Sequence, residues 1–230
     1  MFCQPIASQP HQTSFTVDIR DLSLSVTMEP YGAVANIKED LYYTVYAVKK
    51  EVDCFLTERP DIRYAVEPVA VRGDEPSFLA AVMKTSNALN VGPMPGLTGA
   101  FADLALEFLV TQGRDIVVSC GSALALSRSQ ETQLLLSQAG SQNDLAVAIP
   151  PKKIGVAFSD SILVVAKTSA LAGVAVQSGT GELTAGGNPS DVIEALKPHV
   201  GIRGGIIEYN DKLGFWGGVA PLPLSEVRSK

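Results

Sequence analysis

The stretch SDSILVVAKTSALAGVAVQSGTG, residues 159–181, decides how this chain folds. An apolar run from Ile162 to Ala166 reads as a short strand. It leads into a segment made almost wholly of Ala, Ser, Val and Gly. That segment reads as a helix over about 169–178, whose small side chains let a ligand or another part of the molecule come close to its backbone. The residues after it, GTGELTAGGN, read as a Gly-rich loop. Outward from this point the pattern is β on both sides. DIVVSCGSALALSRS reads as a strand, a Gly break and a second strand, and QLLLSQ, LAVAIP and KIGVAFS are further short strands. Downstream, Ser190 is placed to cap a short helix ending before Pro198. GGIIEYN and GFWGGVAP then form a last hairpin turning near Asn210 and Asp211.

The first half is different. Phe15, Val17 and Ile19 alternate, as do Leu22, Leu24 and Val26, with Asp21 near the turn between them, which predicts a hairpin. Helical spacing of Leu41, Val45, Val48, Val52 and Phe55 predicts a helix over 38–57. RYAVEPVAV reads as extended or irregular, because Pro68 disfavours helix just before it. A second helix begins near Pro76 and fades by Asn90, and a third runs from about Leu97 to Val110, with Gly113 just past its end. Between them NVGPMPG, with two prolines and two glycines, is a shaped loop. Helices gathered in the first half and strands in the second indicate an α+β fold. Residues 1–12 read as a flexible N-terminal tail and 13–230 as a single domain.

The chain has 230 residues, of which 46% are hydrophobic and 18% charged, enough for a large core and too apolar for a disordered chain. A net charge of −6 and no basic run argue against nucleic acid as a partner. No apolar run reaches spanning length, so no membrane partner is expected. The first residues, MFCQPIASQPHQTSF, have neither the basic nor the apolar region of a signal peptide, so a cytoplasmic location is expected. Cys3, Cys54 and Cys120 form no disulfide framework and no C-x-x-C, and with only His11 and His199 available no zinc site is expected.

Three segments, in this order and spacing, resemble the ApbE-like superfamily of flavin transferases and their relatives: NVGPMPGLTGAFADLALEFL, IVVSCGSALAL and LVVAKTSALAGVAVQSG. The chain is most similar to an uncharacterised branch found in anaerobic bacteria and archaea, from about Thr13 to Ala220. The resemblance implies a T-fold-like antiparallel sheet packed by helices. It also implies an ancestral activity, in which FAD and a divalent metal such as Mg²⁺ are bound and FMN is attached to a Ser or Thr of another protein. Such a metal needs oxygen ligands, carboxylates above all.

Residue by residue, the metal chemistry does not carry over. Where the family places an Asp after Leu-Ala, and a Thr four residues on, this chain has Gly173 and Gln177. The family's Asn-Gly-Gly-Asp is here Cys120, Gly121, Ser122 and Ala123. Gly99 and Asp103 match a Lys-Gly motif with its following Asp, but Thr98 stands where the Lys would be. Relatives also carry a Ser, Thr and Gly-rich loop with a His between two strands, which is shortened here around 154–162. The expectation is an ApbE-like protein without flavin transferase activity, repurposed to bind a small ligand. No metal site and no cofactor are expected, FAD or FMN with Mg²⁺ being what the family would otherwise admit.

The candidate ligand-pocket residues are Gly92, Pro93, Thr98, Gly99, Asp103, Gly121, Ser122, Thr168, Gly173 and Gln177. Cys120 is the candidate catalytic residue, a reactive thiol on one reading and a small buried hydrophobe on the other. Asp103 orients a ligand or is a solvated helix residue. Trp216, among Gly214, Gly217 and Gly218, sits at a partner surface or packs within a strand. Gly179, Gly181, Gly186 and Gly187 lack both Walker and dinucleotide spacing and read as a surface loop. Two further readings stand beside the first. One is a sulfur-handling factor in anaerobic homocysteine or sulfur metabolism, which the branch implies through Cys120. The other is a homo-oligomeric interaction protein, most simply a homodimer, with a protein rather than a small molecule as partner.

Overall fold

In the computed structural model, which describes residues 2–5, 11–137, 145–149, 152–210 and 212–222, the strand at the centre of the opening stretch is buried on both faces. It is β9 (Ile162–Ala166). Ile162, Val164 and Ala166 point to one side, into a cluster with the helix that follows. Leu163 and Val165 point to the other, into a cluster with a second sheet. Double coverage explains why the run is continuously apolar instead of alternating.

β9 belongs to an eight-stranded antiparallel sheet. Its members are β2 (Thr13–Ile19), β3 (Leu22–Pro30), β4 (Gly113–Cys120), β5 (Ala123–Ser127), β8 (Lys153–Phe158), β9, β10 (Ile202–Tyr209) and β11 (Lys212–Gly217), in the order β11-β10-β9-β8-β5-β4-β3-β2. A four-stranded sheet of β1 (Phe2–Pro5), β6 (Thr132–Ser137), β7 (Leu145–Ile149) and β12 (Ala220–Leu222) covers one face. Leu134, Val147 and Ile149 meet Val117, Leu124 and Val156 there. The helices cover the other face: α1 (Val34–Glu58), α3 (Ser77–Asn87) and α4 (Met94–Leu109) over the β2 to β5 side, α5 (Ser169–Thr184) and α6 (Pro189–Leu196) over the β8 to β11 side. A short α2 (Pro60–Arg63) follows α1 directly. The mixed helical and antiparallel class is as expected.

Several local expectations are corrected. Part of the expected tail, Phe2–Pro5, pairs with β6 as β1. α4 begins at Met94, three residues before Leu97, because Pro95 lies in the first turn where it loses no intrahelical bond. α5 continues through the expected Gly-rich loop to Thr184. Gly179 is held in it by packing: a Cβ there would lie 2.9 Å from both Ile162 Cδ1 and Val192 Cγ1. Tertiary contact outweighs the ~1 kcal/mol propensity cost of a helical glycine. Asn188, not Ser190, caps α6, forming a reciprocal capping box with Asp191. Trp216 packs inward in β11, its ring lying against Gly205 of β10. The turn expected at Asn210 and Asp211 falls partly outside the described residues. No described helix is long and apolar enough to cross a membrane.

Candidate functional site

The site is organised by the crossing of α4 and α5. A Cβ on Gly99 would lie 2.3 Å from the Ser169 carbonyl oxygen, and one on Gly173 would lie 2.6 Å from the Pro95 carbonyl oxygen. Both glycines therefore let the two helix backbones touch. Asp103 of α4 fixes the contact: its Oδ1 accepts from the Ser169 N–H at 2.9 Å and its Oδ2 from the Ala170 N–H at 3.0 Å. α5 has no acidic residue in its own first turn, so Asp103 supplies the acceptors that its unpaired N-terminal N–H groups need. Thr168 caps the same turn by accepting from the Leu171 N–H, and the buried Ser169 hydroxyl donates to the Leu124 carbonyl of β5. Burial raises the Asp103 carboxyl above the ordinary range, while the two N–H groups pull it partly back.

Beside this crossing lies the β4–β5 turn, where Gly121 has a positive φ of 54°. Clefts open on either side of it, and Thr98 lines both. The first, of about 290 Å³, brings together Thr98, Ser122, Gly173 and Gln177, with Ser159 and Thr180. Its lining is uncharged and rich in hydroxyls. Ser159 also closes the β8–β9 hairpin, its hydroxyl accepting from the Ile162 N–H and its N–H donating to the Ile162 carbonyl. The second cleft, of about 400 Å³, holds Cys120 and Gly121 together with Leu56, Leu97 and Phe101, and carries ionic groups at its edge.

The other candidates do other things. Asp103 and Thr168 border a separate hollow of about 240 Å³, on the α3 side of α4. Gly92 is pressed against the chain: its N–H donates to the Val66 carbonyl at 2.9 Å, and a Cβ would lie 1.9 Å from Ala65 O. Pro93 is buried at the N-cap of α4. Neither Gly92 nor Pro93 nor Gly99 lines these clefts. Cys120 is only 2% exposed, and burial pushes its thiol up to about 12, so at neutral pH it is the uncharged, weakly nucleophilic form.

Sequence reasoning passed over the ionic edge of the larger cleft. Lys49 is buried in α1, its Nζ within 2.8 Å of Asp21 and 2.5 Å of Asp53. Arg20 reaches the other oxygen of Asp53 at 3.2 Å. The hydrogen bond from Lys49 holds the Asp21 carboxyl below its usual range. The signal was present: Lys49 falls between Val45 and Val52 on the buried stripe of α1, where an apolar residue is the norm.

A flavin-bound divalent metal would need carboxylates facing the phosphates. The hydroxyl cleft has none, and Gly173, where the resemblance implies an Asp, lies against a backbone carbonyl. Among the described residues no group of three or more His, Cys, Asp or Glu side chains is placed to hold a metal ion. The described residues of this cleft do not fit the group.

A family profile described as AbpE bacteria matches residues 6–182. A UPF0280 protein of Methanosarcina acetivorans is 22% identical over 196 residues, covering 77% of this chain and 77% of the relative. A UPF0280 protein of Methanocella arvoryzae is 25% identical over 167 residues, covering 71% of this chain and 63% of the relative. The apo form of the Pseudomonas stutzeri flavinyl transferase ApbE superposes with a TM-score of 0.60 at 9% identity, over 94% of this chain and 96% of that one. The flavin transferase ApbE of Vibrio cholerae gives 0.51 at 11% identity, over 90% and 96%. At these identities the solved structures speak for the fold.

Proposed function

The chain belongs to the AbpE bacterial family, and from that premise we propose that it is a small-ligand-binding member that no longer transfers FMN. The observation that carries the reading is Gly173. At the position where the transferases are expected to carry a metal-binding Asp, the backbone of α5 rests on the Pro95 carbonyl, with no space for a side chain. The cleft beside it keeps hydrogen-bonding groups, Thr98, Ser122, Ser159, Gln177 and Thr180, and lacks charge. Neutral hydroxyls and an amide suit a neutral polar ligand, since they can donate and accept but cannot neutralise a pyrophosphate. What survives of the family pattern, Gly99 and Asp103, has a packing role that explains its presence without catalysis.

The test is turnover. FMN transfer to a hydroxyl R–OH consumes FAD and releases AMP as FMN–O–R forms. The purified chain, incubated with FAD, Mg²⁺ and a Ser- or Thr-containing acceptor peptide, is expected to leave FAD intact. AMP release that depends on Mg²⁺ and on the chain, matched by flavinylated peptide, would overturn the reading.

A further inference from the structure

We propose that the larger cleft, between α1, α4 and the β2–β3 turn, binds a small organic anion with an apolar body, of the aryl- or alkyl-carboxylate class. Apart from Thr98, which lines both, this stands on different residues from the hydroxyl cleft and does not depend on that cleft's reading.

The cleft has two ends of opposite character. Its floor is apolar, formed by Leu22, Leu56, Met94, Leu97 and Phe101, most of them core side chains. Its edge carries Asp21, Lys49, Asp53 and Arg63. Lys49 and Arg20 are tied to the two carboxylates, Lys49 to both and Arg20 to Asp53. The lining pairs two cations with two carboxylates, and Arg20, which binds Asp53 from outside the lining, adds a third cation. Arg63 is exposed and acts on Asp21 through charge, with no ion pair within 4 Å among the described residues, so its N–H groups are the ones least committed to a carboxylate. Its guanidinium is a planar fork suited to bidentate capture of a carboxylate. Lys49 has three N–H donors and spends two on its aspartates. Burial of Lys49 is costly unless paired, and the two carboxylates that pair it also hold it in place beside the cleft. At about 400 Å³ the space is at the small end of ligand sites, which run from ~300 to ~1,000 Å³. It suits one ring system or a short chain carrying one anionic group.

A charge series on a constant ring body tests this: indole-3-acetate, indole-3-acetamide and tryptamine, titrated into the ¹⁵N-labelled full chain and followed by amide shifts. The acid is expected to bind saturably, about tenfold or more tighter than the amide or the amine, with shifts centred on Leu56, Leu97 and Gly121. Arg63→Gln is expected to weaken the acid about tenfold while leaving amide binding and melting temperature unchanged. Arg63 is the chosen variant because it is exposed and least committed to a carboxylate, whereas a change at Lys49 strands the carboxylates that pair it. The proposal is overturned if the acid shows no saturable binding up to about 10 mM. Equal binding of acid and amide, preference for tryptamine, or an unchanged acid affinity in Arg63→Gln overturns it as well.

Discussion

Gly173→Asp, the change that writes the family's expected metal ligand back into α5, is expected to destabilise the protein and to restore no metal binding. A Cβ at this position would lie 2.6 Å from the Pro95 carbonyl oxygen, which belongs to a helix backbone and cannot swing aside. Either α4 and α5 separate or the side chain is strained. Overpacking of this kind costs roughly 1–3 kcal/mol, and a carboxylate set against a carbonyl oxygen adds electrostatic repulsion. For a chain of this size a loss of about 3 kcal/mol lowers the melting temperature by roughly 6–12 °C. Thermal unfolding with and without Mg²⁺ reads both parts. A variant as stable as the parent and further stabilised by Mg²⁺ would mean that the helix crossing is loose enough to rebuild the ancestral site.

Asp103→Ala is expected to be the second large loss. It removes both acceptors at the start of α5 and leaves the Ser169 and Ala170 N–H groups without partners. A buried, unsatisfied donor costs ~1–3 kcal/mol, and a lost helix cap ~1 kcal/mol, so a destabilisation of about 2–4 kcal/mol follows. Asp103→Asn retains one acceptor oxygen and is expected to lie between. The pH profile separates this group from its neighbours. Burial, the larger influence, raises the Asp103 pKa in the folded state, so the folded chain holds this proton more tightly than the unfolded one. Its contribution is present in full below the ordinary carboxylate pKa and is lost as pH rises through the folded value. Chemical unfolding across that window should show a falling contribution in the parent that Asp103→Asn lacks. A parent and variant with parallel profiles would count against the assignment.

Most of the secondary structure was legible because its signal is local. The alternation of Phe15, Val17 and Ile19 against Leu22, Leu24 and Val26 predicts the β2–β3 hairpin, and the structure pairs Phe15 with Val26 and Val17 with Leu24. The limits were set by interactions between segments distant in sequence. Gly179 and Gly181 read as loop residues, yet α5 runs through them because β9 and α6 close around Gly179. The sequence points to Ser190 as the cap of α6, whereas the structure uses Asn188, whose pairing with Asp191 three residues on is itself a capping-box signature. The small residues of 169–178 raised the question of what approaches that helix. Where Gly173 stands, the answer is α4: its contact is Pro95 of that helix.

For the candidate site the same division holds. The motif positions of Thr98, Ser122, Gly173 and Gln177 do converge on one cleft, though they are scattered over residues 98–177. Gly92, Pro93, Gly99 and Asp103 belong to the same motifs but hold helices and loops together, and residue type alone does not tell a packing glycine from one that admits a ligand. The ionic edge at Asp21, Lys49, Asp53 and Arg63 is only partly legible: a lysine on the apolar stripe of α1 marks it, but its partners lie on α1, α2 and the β2–β3 turn, elements whose proximity exists only in the folded chain.

The measurement that bears most directly on the central claim is a flavin charge series with and without Mg²⁺. Riboflavin, FMN and FAD share a ring and a ribityl chain and differ in phosphate. A cleft of uncharged hydroxyls and an amide is expected to gain no affinity from riboflavin to FMN or FAD, and Mg²⁺ should leave all three unchanged. Preference for the phosphorylated flavins, strengthened about tenfold or more by Mg²⁺, would contradict the account, because it would mean that the cleft still gathers a metal around a pyrophosphate.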